Sequence, residues 1–339
     1  MTPSSREENS MTKSKILAIS SMILVLSSLN AYSADKVYVA NQDSDTVSVI
    51  DVESLAVVEN ISVGDIPHNV NHTTDRSLVL VTNKNLNVSE NPSLSIISSA
   101  TDRVLDSIEN IGSRVEHVVA IGSDRAYVTE DLERNAVAVI DIPQRRIINF
   151  IEVGVKPHGL WPTPEGDALF VPNQLSGTLN KIDVSSGKVV GEAQVGRTPT
   201  MAAVSPDGNF VYVTLYGERS VAVVNAGLVE SGRLQINDLI AVGEHPAQVA
   251  VTPDGKYVLV PCEGPGSLYV IDTSTHTVVA NIATGAGAHG VDVSEDSNLA
   301  FVANREPGTV SVINLDNLTL LKQIKVGDNP AGIDFVRGE

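Results

Sequence analysis

The chain has 339 residues, 42% of them hydrophobic and 19% charged, a globular balance that is long enough to bury a large core. Its net charge of −18, with no basic run after residue 15, excludes nucleic acid as an expected partner, because phosphate binding draws on clustered Lys and Arg. A single cysteine, Cys262, excludes an intramolecular disulfide and any Cys-based zinc or iron–sulfur site, so packing must hold the fold together.

The first element in chain order is a targeting segment. Lys13 and Lys15 precede the apolar stretch ILAISSMILVLSSLN, which runs into AYSAD with small residues at Ala31 and Ser33. This is the pattern of a secretory signal peptide over residues 1–33, with cleavage after Ser33 and Met11 as an alternative start. Serines interrupt the apolar stretch, and it is short for a membrane span of about 20 residues. The expected product is exported, to the periplasm or beyond, with no membrane span and one domain over residues 34–339.

Next comes KVYVANQDSDTVSVIDVESLAVVENI (36–61), which reads as three strands. From there one phrase recurs: VGDIPHNV, IGSRVEHVV, VGVKPHGL, VGRTPTMA, VGEHPAQV, TGAGAHGV and VGDNPAGI. Its glycines are Gly64, Gly112, Gly154, Gly196, Gly243, Gly285 and Gly327, spaced by 48, 42, 42, 47, 42 and 42 residues. Such a period means a solenoid, propeller or array. Within a unit, AAVSPDGNFVYVTL (202–215) is an apolar run, a Pro-Asp-Gly turn and an alternating strand. VTPDG and PTPEG repeat the turn, and VAVIDI and VVANIA exemplify the third and fourth strands, rich in β-branched residues.

A four-stranded unit of this length cannot bury both faces alone, so units must stack, and radial stacking gives a β-propeller. The chain starts in mid-unit and ends at VGDNPAGIDFV (326–336), which supplies one strand. The expectation is all-β: seven four-stranded antiparallel blades, six complete and one composite. In the composite blade the C-terminus gives the innermost strand and the N-terminus the outer three.

YVAN (38–41), LVTN (80–83), YVTE (127–130), FVPN (170–173) and FVAN (301–304) each precede a VSVID-like strand. With these repeats, residues 36–336 resemble the YVTN-type β-propeller family. That resemblance implies a seven-bladed propeller of the kind commonly exported in bacteria and archaea. Function must still be argued from the site. The sequence departs from the motif at Glu130, Leu215 and Cys262.

In a propeller, the loop that enters each inner strand opens on the mouth of the central channel. Four residues after the repeat glycines stand His68, Glu116, His158, Thr200, Ala247, His289 and Ala331, with His117 beside Glu116. Three imidazoles around one axis can ligate a divalent metal ion, so His68, His158 and His289 are the expected metal ligands. A single ion reaches all three only if the mouth is narrow, because they come from the second, fourth and seventh blades. Near the YVTN position, Glu130, Glu263, Arg305 and Tyr216 are expected at the same mouth, while the recurring Asn residues cap turns. His72 and His276 fall away from it. Trp161 is expected between blades.

The leading expectation is a monomeric, non-catalytic exported scaffold that binds a protein, polymer or small-molecule ligand at the mouth. An enzyme is the alternative, a His/Glu lactonase or lyase with or without metal, since KPHGLWPTPEGDALFVPNQ (156–174) is phrased like propeller lactonases. A periplasmic redox accessory protein is the third.

Overall fold

The structure is a computed structural model and describes residues 34–84, 92–229 and 232–338. The expected signal peptide lies outside the described residues. Among the described residues there are 28 strands and no α-helix. They form five four-stranded antiparallel sheets and one eight-stranded sheet. The eight-stranded sheet is two blades joined at their outer edges by one parallel pairing, Glu192 with Arg233.

That junction explains a length anomaly. The fifth blade has long outer strands, Ser220–Val229 and Arg233–Ala241, which account for its 47-residue repeat and reach its neighbour.

The innermost strands touch in a closed cycle. In order they are Pro330–Val336, Pro67–His72, Val115–Ile121, Trp161–Pro162, Pro199–Val204, Ala250–Val251 and Ala288–Val293, and the last returns to the first. Seven blades surround one axis, as the repeat predicts. The composite blade is also as expected: Pro330–Val336 pairs with Lys36–Asn41, which pairs outward with Thr46–Asp51 and then Ala56–Ser62. We number this blade 1 and the others in chain order.

The core is divided among the blade interfaces. Seven apolar clusters each join two adjacent blades. In Leu78–Asn83, Val79 and Val81 pack toward blade 1 while Leu80 packs toward blade 3, because successive strand side chains point to opposite faces. Each such residue contributes about 1.5–3 kcal/mol by burial. Trp161 lies against three of these clusters and so packs between blades as expected.

Every repeat glycine fits against the side chain at the YVTN position of its own blade. A Cβ on Gly64 would stand 2.8 Å from Asn83 Cγ, on Gly285 2.8 Å from Asn304 Cγ, and on Gly327 2.6 Å from Asn41 Cγ. Glu130, Leu215 and Cys262 fill the same place against Gly112, Gly196 and Gly243. The asparagines do more than cap their own turns. Asn41 Nδ2 donates to Thr46 and Ser48 on the following strand, and Asn83, Asn173 and Asn304 repeat the pattern.

Candidate ligand site at the channel mouth

A β-bulge in the inner strand aims each mouth residue. Pairing shifts between Pro67 and Asn69, Val115 and Val118, Pro199 and Ala202, and Ala288 and Val291, so the residues between them leave the ladder. Bulges re-aim side chains in this way. In blade 4 the ladder is interrupted further: Pro157 bridges Asn173, and regular pairing resumes only at Trp161. The threonine of the YVTN motif fixes the bulge. Thr82 and Thr129 hydroxyls accept the Asn69 and His117 amides and donate to the Glu116 and His158 carbonyls of the next blade. Gly159 follows His158 because its amide donates to Thr200 O at 2.9 Å, an approach that a side chain would block.

These bulges gather His68, Glu116, His117, His158 and His289 into one cluster, buried except for the half-buried His158. His68 ring centroids lie 5.2 Å from His117, 5.8 Å from His158 and 5.9 Å from His289, and His117 lies 5.0 Å from His158. The mouth is therefore narrow. The three residues whose ligand atoms all fall within 4.8 Å of one another are His68, His117 and His158. This differs from the expected trio, because His117 takes the place of His289. The bulge in blade 3 sends both Glu116 and His117 out of the ladder, which strict alternation does not foresee.

Glu116 anchors the charges. Its Oε2 lies 3.3 Å from His68 Nε2 and 3.6 Å from His158 Nε2, and Lys84 ion-pairs with it. Arg114 approaches its other oxygen at 3.7 Å but bonds chiefly to Asp131 at 2.6 and 2.7 Å. Burial drives the imidazoles of His68, His117 and His289 well below their ordinary pKa, and the Lys84 or Arg305 cations add to the effect. His158 is lowered to about 3, by burial first and then by Lys84. All four are neutral at pH 7, the form that ligates metals. His158 Nδ1 bonds to Thr200 O at 3.2 Å, which makes Nδ1 the donor and leaves Nε2 as an acceptor. Among the described residues, neither ring nitrogen of His117 has a hydrogen-bond partner, although the residue is 1% exposed. Such a group costs about 1–3 kcal/mol.

A second ring lies beside the first. It is formed by the residues directly after the YVTN position, including Gln42, Lys84, Tyr216, Glu263 and Arg305. Their backbone amides make the same bond in each blade, to the residue that enters the inner strand of that blade: Gln42 N to Asn329 O, Lys84 N to Ile66 O, Glu263 N to His245 O. Glu263 accepts from Tyr216 at 2.8 Å and Arg305 at 3.3 Å, and its Oε1 lies 3.9 Å from His289 Nε2. Arg305 also donates to Asn329 at 2.7 Å and Gln42 at 2.6 Å, and the Gln42 amide meets His68 Nδ1 at 2.7 Å. His245 stacks on Tyr216 with centroids 4.7 Å apart. The column of residues one position after the motif would have revealed Gln42 and Lys84, which the sequence reading passed over.

Glu263, Arg305 and Tyr216 thus share the mouth with the histidines. Glu130 does not. It is fully buried in its own loop, where the Ser113 hydroxyl and the Glu133 and Arg134 amides bond to it. Burial opposes its charge, yet these donors prevail and hold its carboxyl below the ordinary value. His72 lies away from the mouth, as expected, but is not merely solvated: it pairs with Asp334 at 2.9 Å. Burial works against its charge, but Asp334 prevails and raises it to about 9.

Comparison with known proteins agrees with the propeller fold. The Leptospira interrogans antigen Lp49 is 23% identical over 205 residues, 56% of this chain and 45% of that protein. The chain thus spans less than half the length of this curated relative. Among solved structures, Kuenenia stuttgartiensis hydrazine synthase superposes with a TM-score of 0.70 at 20% identity, covering 82% of this chain and 91% of that one. A Bacteroides fragilis protein provisionally named 6-phosphogluconolactonase gives 0.74 at 16% identity, covering 90% and 98%. At these identities the superpositions establish the fold alone. Among the described residues no helix is long and apolar enough to cross a membrane. The YNCE-like beta-propeller family description matches residues 16–337, nearly the whole chain, and the chain belongs to that family.

Proposed function

We propose that the protein is an exported, non-catalytic scaffold that captures a small amine-bearing ligand at the channel mouth. The supporting observation is the cavity of about 810 Å³ at the junction of blades 6, 7 and 1. Its volume lies in the range of small-molecule sites, about 300–1,000 Å³. Asp43, Glu263, Glu306 and Asp328 line it against Arg305 and His245, so carboxylates outnumber cations. Glu263 is pre-positioned by Tyr216 and Arg305, so little ordering is needed on binding. The neighbouring Cys262 thiol is pushed by burial up to about 12 and supplies no nucleophile. Export rests on the N-terminal signal pattern.

Calorimetric titration of the protein without residues 1–33 against small amines, polyols and carboxylates tests the reading. A small amine is expected to bind, and Glu263→Gln to weaken it at least tenfold with the melting temperature kept. Binding by none of the three classes contradicts the reading. So does hydrolysis of a lactone that Glu263→Gln abolishes, which would make the mouth an active site.

A further inference from the structure

We infer that His68, His117 and His158 are the ligands of a first-row transition-metal ion at the channel mouth, with Glu116 as the fourth donor. The inference stands on different side chains from the amine pocket and holds whether or not that pocket takes an organic ligand.

Three geometric facts carry it. The ligand atoms of the three histidines lie within 4.8 Å of one another although they come from three successive blades. Glu116 Oε2 stands 3.3 and 3.6 Å from the His68 and His158 Nε2 atoms. Donors on a tetrahedral ion with bonds of about 2.0–2.1 Å are about 3.3 Å apart. Finally, His117 is buried and edge-on to His68, and among the described residues neither of its nitrogens has a hydrogen-bond partner. At the matching position of the other blades stand Asn69, Gly159, Met201, Gln248, Gly290 and Gly332, so the fold itself does not call for an imidazole there. Imidazole-rich sites favour zinc, copper, nickel or cobalt over magnesium or calcium.

The surroundings show how the site would be tuned. His158 already donates through Nδ1 to Thr200 O, which leaves Nε2 free to bind metal. His68 does not. Arg305 holds the Gln42 amide by its oxygen, so the amide nitrogen faces His68 Nδ1. That nitrogen donates, which places the His68 proton on Nε2, the atom nearest Glu116. Metal binding through His68 Nε2 therefore requires the Gln42 amide to turn over, so that its oxygen accepts from Nδ1–H. A carboxylate at this position removes the conflict, because it accepts from both His68 and Arg305. Lys84 opposes the ion, since it is a cation already paired with Glu116.

The test uses the tag-free protein without residues 1–33, stripped with chelator and titrated with Co²⁺ and Zn²⁺ by calorimetry and visible absorption. We expect one equivalent bound, with the intense visible bands of four-coordinate cobalt. His117→Ala should weaken binding at least 100-fold while circular dichroism stays unchanged, and Gln42→Glu should tighten it about tenfold. His276→Ala, remote from the cluster, should bind as the parent does. The inference is overturned if the parent binds no stoichiometric metal, if His117→Ala binds with the parent's affinity and spectrum, or if Gln42→Glu weakens binding. The amine pocket fails separately, by Glu263→Gln leaving amine binding intact, so the two readings are distinguished.

Discussion

His68, His117, His158 and His289 form a group of neutral imidazoles, and this has a pH consequence for the metal-free protein. Their folded pKa values lie below the ordinary 6.5, so the unfolded chain takes up protons first as pH falls. Their contribution to stability is complete above about 6.5 and declines as pH drops toward the folded values, with a limiting slope of about 1.4 kcal/mol per pH unit for each group. Asp292 acts in the other direction. Burial, and then the Asp334 charge, raise it to about 7, so it favours the folded state at low pH and that effect is lost as pH rises toward 7. His72, raised to about 9, acts in the same direction as Asp292: its contribution is complete below about 6.5 and is lost as pH rises toward 9. Four imidazoles outweigh one carboxyl and one raised imidazole. Urea denaturation should therefore show lower stability at pH 5 than at pH 7.5, and His158→Gln should reduce the difference. Equal or greater stability at pH 5 would contradict the assigned protonation states.

At the scale of the element, each blade is a strand set closed by one glycine–side-chain fit. Gly327 and Asn41 are 286 positions apart in sequence, yet a Cβ on Gly327 would meet Asn41 Cγ at 2.6 Å, across the joint that closes the ring. The φ of Gly327 is not in the left-handed region, so the conflict is steric. Gly327→Ala should cost about 1–3 kcal/mol, the usual range for overpacking. Adding Asn41→Ala removes the obstructing group, so the double variant should be clearly less destabilised than the sum of the singles. Additive losses in chemical denaturation would show that the two residues do not share this contact. The repeat glycine and the YVTN position are both legible in the sequence. Their mutual contact is not, because no spacing rule says which side chain lies over which backbone. The bulge is hidden for the same reason. A period of two places Glu116 and His117 on opposite faces, and only the slipped pairing before Val118 brings both to the mouth.

For the whole molecule, ring closure makes the site. Its residues lie far apart in the chain, and no one blade holds more than two members of the histidine cluster. The blade count and the composite blade were readable because the repeat ends in mid-unit, so a missing strand at one end matches an extra one at the other. The column of mouth histidines was readable too. Its diameter was not, since a repeat fixes angular order around an axis and says nothing of how closely the inner strands approach. That distance decides whether four imidazoles are separate residues or one cluster, and the centroid spacings of 5.0 to 5.9 Å make them a cluster. The measurement that tests this most directly is an anomalous-difference map from crystals soaked in zinc. The account predicts a single strong peak bounded by His68, His117, His158 and Glu116. Zinc bound only at other carboxylates, such as Asp292 and Asp334, with no peak among the histidines, would contradict it.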